Sequence, residues 1–211
     1  MSGLYAIVDL TALERRGIDP LEFLEAVLTA RPAWVQLRAK HESAATTLRW
    51  LRAFRAPCTR AGARLFANDR ADLAMLAGAD GVHLGQDDMP LEVVRRLFPE
   101  LKYGLSTHDE AQLRAALALE ADYVAFGPVF ATLSKARPDE VVGLEGLGRA
   151  SELSRRAGCP LVAIGGIDLE RAPAVAKLAA AAAVIGALLP AGPDLEEVSR
   201  RAAALARALG G

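Results

Sequence analysis

Eight times along the chain a short apolar run stops abruptly on a polar residue or a glycine. The runs are LYAIVD from Leu4, AWVQLR from Ala33, RLFAND from Arg64, GVHLGQ from Gly81, KYGLST from Lys102, YVAFGP from Tyr123, LVAIGG from Leu161 and AAVIGA from Ala182. They are rich in Val, Ile, Leu and Ala and mostly lack strict alternation, the pattern of strands buried on both faces and paired in parallel under helices. Ala-, Leu-, Arg- and Glu-rich stretches with helical spacing lie between them. Strand, polar tip and helix repeated eight times predict an α/β chain folded as a single (β/α)8 TIM barrel over residues 1–211, with its chemistry at one rim. An open doubly wound sheet is the alternative, and the absence of a glycine fingerprint after the first run argues against it.

The intervening helices carry their own signals. Asp19 before PLEFLEAVLTA is an N-cap with proline at the first helical position. DEAQLRAALALE starts after the Ser106-Thr107-His108 corner, and DLEEVSRRAAALARALGG closes the chain. DLERAPAVAKLAA reads as a helix capped by Asp168 and kinked by Pro173. At 211 residues the chain is short for a barrel of roughly 250, so any site is built from short rim loops. The exception is the irregular stretch from Ala131 to Gly146, whose length is that of a lid or binding loop.

Bulk properties exclude some partners. With 25 basic and 26 acidic side chains and a formal net charge of −1, nothing marks a nucleic-acid or membrane surface. Two cysteines, Cys58 and Cys159, are too few for a disulfide framework and lack metal-ligand spacing. The N-terminus shows no basic region or long apolar segment, and no run approaches the roughly 18 apolar residues of a span. A soluble, cytoplasmic protein is expected, and a homodimer is compatible with these features.

In such a barrel all strand C-termini meet at one face. Gln36, Arg38 and Lys40 are alternate residues that point to the same side. Asn68 and Asp69 end strand three, and Gln86, Asp87 and Asp88 end strand four. Ser106, Thr107 and His108 follow strand five; Thr132, Ser134 and Lys135 follow strand six; Gly165-Gly166 and Gly186 end strands seven and eight. Three cations (Arg38, Lys40, Lys135) and two or three carboxylates (Asp69, Asp87, Asp88) would share one concave rim. That set suits Mg2+, which takes one or two carboxylates and substrate phosphate oxygens, with the cations neutralising remaining phosphate charge. Glycines ending the last two strands mark the usual barrel phosphate site. The rim then holds two anionic pockets, as a reaction joining two phosphorylated molecules requires. Taken singly, Asp69 and Asp88 also read as helix caps, and Arg38 and Lys40 as solvated charges.

VQLRAK, FANDRADLAMLAGADGVHLGQDDMP, GLSTH, FGPVFATLSK, GLEGL and VAIGGI resemble, in order from about Leu4 to Leu188, the signature segments of the thiamine-phosphate synthase (thiamine-phosphate pyrophosphorylase) family. The resemblance implies a transferase of thiamine biosynthesis. It would condense 4-amino-2-methyl-5-hydroxymethylpyrimidine diphosphate with thiazole phosphate, giving thiamine phosphate and pyrophosphate. It further implies Asp69 and Asp88 as magnesium ligands and Arg38, Lys40, Asn68 and Lys135 as diphosphate contacts. Gln36 and Ser106 would lie near the pyrimidine and its leaving group. Thr132, Ser134 and backbone at Gly166 and around Ile185-Gly186 would contact the thiazole phosphate. Departures from the family pattern are Ala39 for a frequent glutamate, Ala131 for proline, Ser134 for threonine and Gly186 for serine.

The implied chemistry is coherent. Pyrophosphate leaves a benzylic-type carbon whose cation an electron-rich aminopyrimidine stabilises. The protein then has to stabilise leaving-group charge, with Arg38, Lys40, Lys135 and Ser106 as catalytic residues, and to hold the thiazole nitrogen in line. Two rival readings are a TenI-like thiazole tautomerase and a non-catalytic phosphate-binding regulatory barrel. In the tautomerase branch a histidine follows the strand-six glycine; here that position is Pro128. His83, inside strand four, reads as a satisfied barrel histidine, and Trp34 and Phe126 as packing residues.

Overall fold

The computed structural model describes residues 3–132 and 140–210. Its strands are β1 (Gly3–Asp9), β2 (Trp34–Arg38), β3 (Arg64–Asn68), β4 (Gly81–Leu84), β5 (Lys102–Thr107), β6 (Tyr123–Phe126), β7 (Leu161–Ile164) and β8 (Ala181–Val184). All neighbouring pairs are parallel, and β1 pairs with β8 to close the barrel. Each strand falls on one of the eight apolar runs. The helices are α1 (Leu10–Glu14), α2 (Pro20–Leu28), α3 (Ala44–Ala61), α4 (Ala71–Ala77), α5 (Leu91–Leu97), α6 (Glu110–Ala118), α7 (Gly143–Ala157), α8 (Ala172–Ala176) and α9 (Leu195–Ala208). No helix among the described residues is long and apolar enough to cross a membrane.

Burial on both strand faces produces two cores. Outward-facing residues such as Val8, Val35, Leu65, Val82 and Val124 pack with the helices in the larger one. Inward-facing Tyr5, Ile7, Trp34, Phe66, Tyr123, Ala125, Val162, Ala181 and Ala183 fill the barrel. The interior is lopsided, with aromatic rings from β1, β2, β3 and β6 facing alanines on β8. Tyr5 meets Trp34 edge-on at 5.1 Å between centroids, and Phe66 meets Tyr123 edge-on at 5.5 Å. Such pairs add about 0.5–1.5 kcal/mol beyond their buried area.

Glycines inside two strands make room for these rings. A Cβ on Gly81 would lie 2.5 Å from the Phe66 ring, and one on Gly104 would lie 2.0 Å from Cζ of Tyr123. At the opposite end from the polar rim, Asp80 and Asp122 perform the same task one strand pair apart. Asp80 Oδ2 accepts from Leu65 N–H at 2.8 Å, and Asp122 Oδ2 accepts from Tyr103 N–H at 2.9 Å. Each carboxylate satisfies a backbone donor at the start of the preceding strand, where the ladder has no further partner to offer.

Two details differ from the sequence reading. The helix expected from Asp168 begins only at Ala172 and is unkinked, because Pro173 occupies its first turn, where a missing N–H costs nothing. Asp168 instead caps the turn before it, accepting from Arg171 N–H at 2.9 Å. The long stretch after β6 ends earlier than Gly146, since α7 begins at Gly143.

Gly104→Ala should destabilise the fold by about 1–3 kcal/mol through overpacking against Tyr123. A lowered urea midpoint with unchanged slope would show it, and an unchanged midpoint would contradict the ring-against-glycine account.

Candidate active site

The rim is built by continuing the inward parity of each strand to its tip. Tyr5, Ile7 and Asp9 share one face of β1; Trp34, Gln36 and Arg38 share one face of β2; Asn68 follows Phe66, His83 follows Gly81 and Ser106 follows Gly104. The register pairs Asp9 with Arg38 and Asn68 with His83. Polar groups therefore sit directly on an aromatic floor.

Asp9, although it ends the first run, was not among the expected site residues. Its Oδ2 accepts a hydrogen bond from Nη1 of Arg38, while its Oδ1 accepts from Ala12 N–H at 2.9 Å and so caps α1. With only 6% of its surface exposed, Asp9 ties the Arg38 guanidinium to the start of a helix. Its signal in the sequence is its parity with Tyr5 and Ile7.

Lys40 reaches across to Asp69, with Nζ 2.7 Å from Oδ2. Asp69 is held in the left-handed region at φ 64°, a conformation uncommon for non-glycine residues but several-fold enriched in aspartate. Two backbone bonds hold it there: Asp69 N–H donates to His83 O and Arg70 N–H donates to Asn68 O, both at 2.8 Å. Asp88 folds back so that its Oδ2 accepts from Gly85 N–H at 2.6 Å. Burial raises the Asp88 carboxyl above its ordinary pKa; the Gly85 N–H opposes this, and the Asp69 carboxylate adds to it by hydrogen bond and charge. Asp69 and Asp88 thus lie close enough for the charge of one to act on the other. Neither one caps a helix: α4 is preceded by Arg70 and α5 by Pro90, both without a side-chain cap bond. The capping explanation for Asp69 and Asp88 therefore fails. Asp87, the third rim carboxylate, is exposed and does not join this pair.

His83 is satisfied on both nitrogens, with Nδ1 2.8 Å from Tyr123 Oη and Nε2 2.8 Å from Ser106 Oγ. Burial, opposed by the charge of Asp88, brings its pKa down to about 4, so the imidazole is neutral near pH 7. Gln36 Nε2 donates to Tyr5 Oη at 2.8 Å, and Gln86 Nε2 donates to the Ser106 carbonyl at 2.5 Å.

The second half of the rim is glycine-lined. Gly165 and Gly166 have φ of 99° and 61°, and Cβ atoms there would fall 2.5 Å from Pro128 Cα and 2.4 Å from Ala131 O. Only glycine allows this close approach of the β7 turn to the chain leaving β6. The contact is reinforced by Phe130 N–H donating to Gly165 O at 3.0 Å and by Arg171 Nη1 donating to Gly166 O at 2.7 Å. Arg171 also lies over the Phe130 ring, 4.7 Å from its centroid, adding a cation to this half that sequence reading missed. Ile185 and Gly186 lie where β8 leaves the barrel, and Gly186 opens a short 3-10 turn to Leu188. A Cβ on Gly186 would meet no atom within 4 Å.

Gln36, Arg38, Lys40, Asn68, Asp69, Asp88 and Ser106 thus lie at the ends of strands β2 to β5, with Lys40 paired to Asp69 and Ser106 bonded to His83. Thr132, Gly166, Ile185 and Gly186 mark the tips of β6 to β8. Ser134 and Lys135 lie outside the described residues. Among the described residues no group of three or more His, Cys, Asp and Glu side chains forms a metal cage. The donor set at Asp69 and Asp88 is instead two crowded carboxylates, hard oxygen ligands suited to an ion that completes its shell from water and substrate.

Fold and site together define a (β/α)8 barrel with a carboxylate and cation cluster at the C-terminal mouth, the face where such barrels act. Comparison with known proteins narrows the class. The family model described as "Thiamine monophosphate synthase" matches residues 4–188. A thiamine-phosphate synthase of Anaeromyxobacter dehalogenans is 43% identical over 206 residues, covering 97% of this chain and 88% of the relative. A putative thiamine-phosphate synthase of Geobacter sulfurreducens is 41% identical over 204 residues, covering 96% and 93%. Among solved structures, the thiamine phosphate pyrophosphorylase from Pyrococcus furiosus superposes with a TM-score of 0.84 at 30% identity, covering 98% of this chain and 94% of that one. The chain belongs to the thiamine monophosphate synthase family.

Asp9→Ala removes a helix cap and leaves Arg38 without its partner, and should cost about 2–4 kcal/mol. Asp9→Asn keeps the cap oxygen and should cost clearly less. Chemical denaturation of the two variants side by side tests the double role, and equal losses would refute it.

Proposed function

We propose that this chain is a thiamine-phosphate synthase, joining a hydroxymethylpyrimidine diphosphate to a thiazole phosphate with release of pyrophosphate. The observation that carries this reading is the cluster of Arg38, Lys40, Asp69 and Asp88 at one end of the mouth, with neither carboxylate occupied in capping a helix. The overall reaction forms a bond from the thiazole nitrogen to the pyrimidine methylene carbon and breaks that carbon's bond to the diphosphate oxygen. No general base is needed.

Arg38, kept in place by Asp9, and Lys40 bind the diphosphate and stabilise the charge it gains on leaving. Asn68 and Ser106 supply polar contacts at the adjacent tips, and Gln36 holds the pyrimidine from below. Asp69 and Asp88 would hold Mg2+, which supplies charge neutralisation for the leaving group. Gly166 and the backbone from Ile185 to Gly186, with Thr132 beside them, take the thiazole phosphate and hold its ring nitrogen for attack. The tautomerase reading is weaker, since Pro128 provides no acid or base at its position and the diphosphate cluster is intact.

Purified protein given both substrates should form thiamine phosphate and pyrophosphate only when Mg2+ is present; no product with or without the metal overturns the assignment. Asp88→Ala should lower kcat roughly a thousandfold while thiazole-phosphate affinity stays within about twofold. Loss of both would show that the two pockets are wrongly divided.

The open space at Gly186 gives a second expectation. Gly186→Ser should fold with unchanged stability, because its Cβ meets nothing, and should lower KM for thiazole phosphate roughly three- to tenfold through one added hydroxyl contact. Steady-state kinetics at saturating pyrimidine diphosphate would read this, and an unchanged KM would place the phosphate elsewhere.

A further inference from the structure

Gln36, Tyr5, Tyr123, His83 and Ser106 form one unbroken hydrogen-bond chain through the barrel interior, although they come from five different strands. The links measure 2.8 Å from Gln36 Nε2 to Tyr5 Oη, 2.9 Å from Tyr5 Oη to Tyr123 Oη, 2.8 Å from Tyr123 Oη to His83 Nδ1 and 2.8 Å from His83 Nε2 to Ser106 Oγ. The three middle members are buried, and Tyr123 is fully so. Among the described residues, Ser154 Oγ is the buried side-chain polar atom without a partner, so every link of this chain is satisfied.

The Gln36 amide nitrogen at the head of the chain favours one direction for the protons along it. The Gln36 amide nitrogen can only donate, so Tyr5 Oη accepts from it. Tyr5 has a single proton and passes it to Tyr123, and Tyr123 passes its own to His83 Nδ1. Nδ1 is then an acceptor, which places the imidazole proton on Nε2 and aims it at Ser106 Oγ. Ser106 accepts from below, so its own hydroxyl proton must be donated elsewhere, and its partly exposed position at the β5 tip turns that proton to the open mouth.

We infer that Tyr5, Tyr123 and His83 are positioning residues that polarise the Ser106 hydroxyl as a hydrogen-bond donor to bound substrate. The inference rests on the site reading proposed above, since it takes the acceptor to be an oxygen of the diphosphate side of the substrate. The ring packing locks the relay: Tyr123 stacks on His83 at an interplanar angle of 21° and meets Tyr5 nearly edge-on at 78°. Gly104 belongs to the same device, because a Cβ there would fall 2.3 Å from the Tyr123 hydroxyl. A donor whose orientation is set before substrate arrives requires no reorganisation during the reaction, which is the condition under which such donors stabilise a leaving group best.

The test reads the tautomer directly. In long-range 1H–15N NMR correlation of the full chain with 15N-labelled histidine, His83 should be the neutral Nε2–H form. The chain has three histidines, and His83→Gln identifies its signals. An Nδ1–H tautomer would mean that the chain runs in reverse and would overturn the inference. Tyr123→Phe should abolish the tautomer preference and lower kcat roughly tenfold, the equivalent of one hydrogen bond, with KM for thiazole phosphate unchanged. Tyr5→Phe, which touches neither His83 nor Ser106, should shift the same two readouts in the same direction, while wild-type values in both variants would overturn the relay. Because the tautomer is read without substrate, a failed coupling assay alongside an Nε2–H His83 would refute the proposed activity and leave the relay standing.

Discussion

A closed eight-strand barrel has an interior that only alternate residues can reach, and that interior must be filled. This parity rule governs the rest of the molecule. On β1, β2, β3 and β6 it places large rings low in the barrel, and on β4 and β5 it requires glycines against two of those rings, Phe66 and Tyr123. Two residues further along β3, β4 and β5, and four along β2, the same parity delivers Asn68, His83, Ser106 and Arg38 to the mouth. The polar rim and the aromatic floor are therefore one periodic object, and a change that swells the floor is felt at the rim. Tyr123 shows the coupling most clearly: its ring packs on Phe66 and Trp34, its Cζ fills the space left by Gly104, and its hydroxyl reaches His83.

At the mouth, side chains are held by partners that have a second structural duty. Asp9 both caps α1 and pairs with Arg38, so the guanidinium is anchored to a helix end. Lys40 is drawn inward by Asp69, itself kept in a left-handed backbone conformation by bonds to β4 and to its own strand. Asp88 is fastened to Gly85 N–H. Such arrangements raise the local energy of an isolated site, crowding two carboxylates and twisting a non-glycine backbone, and the surrounding fold sustains them.

Much of this was legible without coordinates. The eight apolar runs coincide with the eight strands, and the cap at Asp19 lies where it precedes a proline and an amphipathic stretch. The ordered segments from VQLRAK to VAIGGI pointed to the family that the comparisons bear out. Local rules were less reliable where two of them competed. Asp168 looked like a helix cap, but Pro173 could occupy only a first turn, so the helix began later. Asp87 and Asp88 are adjacent and chemically equal, and only the fold-back onto Gly85 turns one inward and leaves the other in solvent.

The sequence by itself determined the architecture, the family and most of the polar tips, because strand period, turn chemistry and motif order are properties of neighbouring residues along the chain. Tertiary structure alone decided how those tips connect. Tyr5 and Tyr123 are 118 residues apart and read separately as ordinary apolar-run aromatics. Closure of the barrel sets their hydroxyls within hydrogen-bond reach and threads them between Gln36 and His83. Proton direction along that chain depends on distances across the barrel interior, and spacing along a single strand carries no record of them.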